Sequence, residues 1–117
     1  NLTSSICSAY GAKYEFEYQH RYPPTINSAE EVETSLKVMN EISDESMINT
    51  SPSPSMGSED FAFMLQEKPG SYIWIGNGDG EGSCMLHNPS YDFNDQILPI
   101  GATYWVNMAE EILSPIN

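Results

Sequence analysis

Basic side chains are scarce. Lys and Arg number 4 against 17 Asp and Glu, which leaves a net charge of −13. A surface this acidic repels phosphate backbones and anionic lipid, so nucleic acid and membrane surfaces are set aside as partners. Long apolar runs are missing too, and none approaches the ~20 residues of a membrane-spanning helix. The opening Asn1-Leu2-Thr3-Ser4-Ser5 has neither the basic start nor the apolar stretch of a secretion signal. It also lacks an initiator Met, so a processed or cut piece is expected. Cysteine is limited to Cys7 and Cys84, far apart and outside any CxxC pattern. Two buried or idle thiols in a reducing, cytoplasmic compartment is the reading that follows. The sequon Asn49-Thr50-Ser51 would matter only in a secreted chain. Disorder is disfavoured, because 39% of residues are hydrophobic and 11% aromatic. A length of 117 residues suits one domain, or one domain plus a piece of another.

The periodicities predict helices alternating with strands. Leu2, Ile6 and Ala9 share a helical face over 2–10, and Gly11 follows where a left-handed C-terminal residue belongs. Lys13 to Gln19 alternates strictly, with Tyr14, Phe16 and Tyr18 on one side, which predicts a half-buried strand closed by Pro23-Pro24. Ser28-Ala29-Glu30-Glu31 reads as a capping box opening a helix to about Ile42, with Val32, Leu36 and Met39 as its apolar stripe. Residues 43–58 read as a loop with room for a short strand. Ser58 is expected to cap a second helix over 59–67 that buries Phe61, Ala62 and Leu65. Ser71 to Gly76 reads as a buried strand. A last helix, from 95–99 to about Leu113, is expected to turn Ala102, Trp105, Ala109 and Ile112 inward. Helices alternating with strands suggest an α/β layer.

Four candidates for chemistry stand out. Asn77-Gly78-Asp79-Gly80-Glu81-Gly82 superficially matches the start of a calcium loop. Its twelfth position is Asn88 rather than Glu, so a plain turn is the better reading. His20 reads as a surface histidine. His87 follows a buried strand and a glycine-rich loop, where ligands and metals gather in α/β sheets, and an imidazole there suits zinc. One imidazole alone is not a metal site, which needs three or four ligands, so the residues by themselves leave the metal role of His87 open. Met56-Gly57-Ser58-Glu59-Asp60-Phe61 sets Gly, Ser and two acids at a helix start. That suits either an anion or simple capping.

Taken in order, Tyr22-Pro23-Pro24-Thr25-Ile26-Asn27, Met56 to Phe61, Ile75-Gly76, His87 to Asp95 and Leu98 to Ala102 closely resemble the C-terminal end of a known enzyme family. These are the zinc-dependent amidohydrolases that include hippurate hydrolase, aminoacylase and the auxin-conjugate (indoleacetyl-amino-acid) hydrolases. The likeness covers nearly the whole chain. It implies an α/β fold in which this chain is the closing part of an α/β/α sandwich, preceded by a helix-strand remnant of an inserted α+β lid domain. Residues 1–22 resemble the end of that lid, often used for dimerisation, 23–27 the return linker, and 28–117 the C-terminal part of the catalytic domain.

The resemblance also implies roles. His87 takes the place of a metal ligand, and Gly57, Ser58 and Asn27 fall in segments near the substrate. The metal would be zinc, with manganese, cobalt or nickel as alternatives. The substrate would be an N-acyl amino acid or small peptide, hydrolysed at its amide bond, and the assembly a homodimer. The chain departs from the family pattern in one large respect. The other ligands and the general-base Glu belong to a preceding part not present here, and neither Cys7 nor Cys84 takes the ligand cysteine's place. On this reading the chain alone holds no catalytic residue, is inactive, and needs the missing N-terminal part as its partner. A different class of reading is a non-catalytic module that binds a partner, or itself, through Tyr14, Phe16 and Tyr18.

Overall fold

A computed structural model describes residues 1–80 and 82–113. Four α-helices form among the described residues: α1 (Leu2–Ala9), α2 (Ala29–Ile42), α3 (Phe61–Glu67) and α4 (Leu98–Leu113). Single 3-10 turns lie at Glu45–Met47 and Asp95–Ile97.

α1 ends as its sequence dictates. Gly11 takes φ 64. The Ala12 N–H donates to the Cys7 carbonyl at 2.9 Å and the Gly11 N–H to that of Ser8 at 3.1 Å. These two bonds make a Schellman close. The segment after it keeps its alternation. Phe16 and Tyr18 stack at 6.5 Å and His20 meets Tyr18 edge-on at 4.6 Å. On the other side, Arg21 donates to the Gln19 side chain and Gln19 to that of Glu17. The strand expected over 13–19 nevertheless does not form. Its two faces are sorted as expected, but no ladder partner exists among the described residues, and an extended segment becomes a strand only by pairing. Tyr14, Phe16 and Tyr18 all remain exposed.

α2 begins after Ser28, but not through the expected capping box. The Ser28 side chain makes no cap bond to α2. Its hydroxyl accepts from the Gly70 N–H at 3.2 Å, while its own N–H donates to the Gly70 carbonyl at 2.9 Å. Next to it, Asn27 imitates a peptide group. Its Nδ2 donates to the Tyr72 carbonyl at 2.9 Å and its Oδ1 accepts from the Tyr72 N–H at 2.8 Å. Residues 27–28 are thus stitched to 70–72, and this stitch takes the place of the buried strand expected at 71–76.

α2 packs against α4. Val38, Tyr104 and Met108 form the buried centre, with Met39, Ile42 and Ile73 against it. Buried Ser35 is satisfied within this centre: Tyr104 Oη donates to its hydroxyl at 3.2 Å, and the Ser71 hydroxyl bonds it from the other side. At the rim Lys37 holds Glu111 at 2.6 Å.

The inward face of α4 differs from the expected one. Tyr104 and Met108 are buried, whereas Trp105 is 67% and Ile112 64% exposed. Two apolar stripes lie side by side on this helix, and α2 covers only one.

The whole is open. The radius of gyration is 20.5 Å, against about 13 Å for a compact domain of this length. The accessible surface is 10288 Å², where a folded monomer of this mass shows about 6,300 Å². The layered α/β arrangement is not built by the described residues themselves.

Candidate functional site

Two constructions carry the residues singled out by the sequence. The first surrounds the start of α3. Glu59 Oε1 accepts from the Phe61 N–H at 3.1 Å and its Oε2 from the Tyr72 hydroxyl at 2.9 Å. Glu59 therefore does the work expected of Ser58, and α3 starts at Phe61 rather than at 59. Those bonds hold the Glu59 carboxyl below the ordinary range, the Phe61 N–H most and the Tyr72 hydroxyl next. The same contact raises the Tyr72 phenol. Hydrogen bonding to Asp60 and its negative charge raise that of Tyr22. Aromatic rings close around these groups. Phe61 lies 5.6 Å and Trp74 5.8 Å from Tyr72, and Tyr22 lies 5.4 Å from Phe63. Gly57 and Ser58 stand exposed just ahead. Asn27 reaches the same place, with its amide committed to the Tyr72 backbone.

The second construction is the loop that carries residues 78–80 and 82–93. Asn77 and Asn94 close its neck. Asn77 Nδ2 donates to the Asp92 carbonyl at 2.7 Å, its Oδ1 accepts from the Asn94 N–H at 2.8 Å, and its own carbonyl accepts from Asn94 Nδ2 at 3.3 Å. Asn94 Oδ1 also accepts from the Gln96 N–H at 3.0 Å, which starts the turn into α4. Farther out, the Asp92 N–H donates to the Gly82 carbonyl at 2.9 Å. Gly82 has φ +81, and a Cβ there would lie 2.6 Å from Asp92 Cβ. Only glycine fits such a close crossing. At the outer end the Asn88 N–H donates to Met85 at 3.2 Å, and the Tyr91 N–H to Asn88 at 3.0 Å. His87 sits in that first turn with φ 68, in the left-handed region, and is exposed. It is the one non-glycine residue among those described with a positive φ.

The structure joins Asn27 to the Glu59–Tyr72 cluster but does not bring His87 to Asn27, Gly57 or Ser58 by any hydrogen bond among the described residues. Two shallow concavities lie elsewhere, one beside Glu41, Asn107 and Glu111 and the other along Asn40–Asp44 and Met47. No group of three or more His, Cys, Asp or Glu that could hold a metal exists among the described residues. One exposed imidazole is a single ligand where a zinc site takes three or four. The described residues of this chain therefore do not by themselves fit a complete metal centre. The sequence marks Glu59 only as an acid at a helix start and Asn77 only as the first residue of a turn; it points neither to the Glu59–Tyr72 contact nor to the pairing of Asn77 with Asn94. The Asn77-Gly78 pair signals a turn, and nothing periodic ties it to Asn94.

Residues 3–111 match the Peptidase family M20/M25/M40. The chain belongs to that family. It is 30% identical to a protein described as a probable hydrolase from Synechocystis, over 92% of this chain and 30% of that protein. It is 34% identical to thermostable carboxypeptidase 1 of Saccharolobus solfataricus, over 86% of this chain and 25% of that one. Hippurate hydrolase of Campylobacter jejuni is 35% identical over 78% of this chain and 23% of its own length. The chain thus spans less than a third of each of these relatives. No solved structure gives a significant match.

Proposed function

We propose that this chain is the C-terminal part of a metal-dependent amidohydrolase that cleaves the amide bond of N-acyl amino acids of the hippurate type. The family match over residues 3–111 carries the reading. The relatives named hippurate hydrolase and carboxypeptidase support amide hydrolysis next to a free carboxylate. In this proposal His87 is one ligand of the metal, zinc first and manganese, cobalt or nickel as alternatives, and the remaining ligands and the general base come from outside this chain. The left-handed backbone at His87 agrees with a functional position, because such conformations cluster where the surroundings enforce them. Gly57 and Ser58 would face the substrate from the start of α3, while Asn27 would shape that region through Tyr72 rather than touch substrate. Residues 28–117 would complete an α/β/α sandwich and 1–22 a lid that dimerises, in a cytoplasmic enzyme. The open shape supports this, since the uncovered stripe of α4 and the unpaired segment at 13–19 both await neighbours. Family membership weighs against a stand-alone interaction module.

The test has two arms. The chain alone, given zinc and hippurate, is expected to show no turnover and only weak zinc binding by calorimetry. Tight stoichiometric binding or turnover would refute the division of ligands. The longer reading frame containing this chain is expected to hydrolyse hippurate and to lose that activity on chelation and in His87→Ala. Full activity in His87→Ala would refute the role given to that residue.

A further inference from the structure

We propose that Asn77 and Asn94 are positioning residues that set the place and backbone conformation of His87. The proposal deepens the reading of His87 as a metal ligand and rests on it only for the use to which the position is put.

The argument starts from the geometry of the loop. His87 lies at the outer end of a segment whose two limbs must be held together for its tip to have one position. A free loop of this length would sample many conformations, at a closure cost that grows only slowly with length. The chain fixes it with side-chain amides rather than with a sheet. The Asn77 side chain sits on one limb and spends both halves of its amide on the other, at the Asp92 carbonyl and the Asn94 N–H, at 2.7 and 2.8 Å. Asn94 answers with its own Nδ2 on the Asn77 carbonyl, and its Oδ1 anchors the neck to the turn before α4. The neck is therefore tied to the helix that forms the core. Beyond it, the Asp92–Gly82 bond fastens the limbs a second time. Beyond the clasps lies the tip, closed by tight turns in which His87 sits at φ 68. A β-carbon-bearing residue stays left-handed only while its surroundings enforce it. The two clasps are the only fastenings between the limbs among the hydrogen bonds of the described residues.

An amide is required at Asn77 rather than any polar group. It meets a carbonyl with its nitrogen and an N–H with its oxygen at once. A carboxylate of the same shape keeps the second contact, but sets an acceptor against the Asp92 carbonyl, where two acceptors repel.

The experiment uses the full chain with Asn77→Asp and, separately, Asn94→Asp, which keeps the Gln96 contact and loses the bond to the Asn77 carbonyl. Amide exchange is read at Asp92 and at the turn amides Asn88 and Tyr91, with Val38 as the marker of the core. Asn77→Asp is expected to speed loop exchange about tenfold while leaving Val38 unchanged, as loss of one hydrogen bond predicts. Asn94→Asp is expected to do the same to a smaller degree. The signature specific to His87 is its strong intraresidue HN–Hα nuclear Overhauser effect, which a positive φ produces. It is expected in the parent chain and weakened in Asn77→Asp. An unchanged effect with unchanged loop exchange overturns the proposal. So does equal acceleration at Val38 in both variants, which would make the asparagines general stabilisers. Zinc added to the parent chain, read on the His87 ring protons, separates the two ideas. If zinc leaves the ring unmoved while Asn77→Asp still loosens His87, the clasp stands and the metal role falls.

Discussion

Val38→Ala is the sharpest test of how this chain holds together. Val38 is completely buried, at 0% exposure, between Tyr104 and Met108. The change removes two methyl groups, each worth about 0.8 kcal/mol of burial. The space they leave is walled by two helices and by Ile73, so it closes only in part, and the total becomes about 2–3 kcal/mol. An ordinary domain has about 5–15 kcal/mol to lose. This chain has less, because so few of its side chains are buried and its surface exceeds that of a compact monomer by more than half. Urea unfolding followed by helical circular dichroism is expected to lose about 2 M of midpoint, with m near 1 kcal/mol/M. Val106→Ala makes the same chemical change on α4 at a position 56% exposed, and should cost less than about 0.5 kcal/mol. If Val106→Ala costs as much as Val38→Ala, α4 rests on another face and the core assignment is wrong.

Gly82→Ala brings a Cβ to 2.6 Å from that of Asp92 at a φ of +81. It is expected to break the Asp92–Gly82 bond and speed exchange of the Asp92 amide about tenfold or more, whereas Gly80→Ala, with open space around it, should not. Equal behaviour of the two variants would dismiss the crossing as a constraint. The Glu59–Tyr72 contact should fail at both ends of the pH scale. Glu59 titrates below its ordinary value, so its contribution is present above the unfolded carboxylate range and lost as pH falls through the depressed value. Tyr72 titrates above its ordinary value, so its share is present below the phenol range and lost as pH rises through the raised value. Trp74 fluorescence in a Trp105→Phe background reads both limbs, and Glu59→Gln should flatten the acid one; an acid limb of unchanged size in that variant would assign it to another group.

All four helices were legible from apolar spacing and from Gly11, because helices satisfy their backbones locally. In segment 13–19 only the sorting of residues to two sides was legible, and segment 71–76, read as a buried strand, leaves Trp74 and Ile75 exposed. A strand needs a partner, and spacing within one segment says nothing of whether one is at hand. The inward face of α4 was misread because both stripes, Tyr104–Met108 and Trp105–Ile112, are apolar, and choosing between them takes knowledge of what lies opposite. At the site, the sequence drew attention to His87 and to the run Gly57 to Phe61. It assigned the cap to Ser58, although Glu59 has the reach to bond both Phe61 and Tyr72. The clasp of Asn77 and Asn94 joins residues far apart in sequence through side-chain amides, a pairing that no periodicity announces.

The stitch between 27–28 and 70–72 gives this extended segment a direction of growth. In an extended chain the backbone groups of alternate residues point to opposite edges. Gly70 and Tyr72 spend theirs on Ser28 and Asn27, so that edge is sealed, and sealed partly by side chains that cannot pass pairing on to a further strand. Any strand that joins must dock along Ser71 and Ile73, the latter already resting on the core beside Val38. Recruitment is thus one-sided. A newcomer meets a template already anchored through Ile73 to α2 and α4, and the short plug at Asn27 keeps a second copy from adding at the wrong margin.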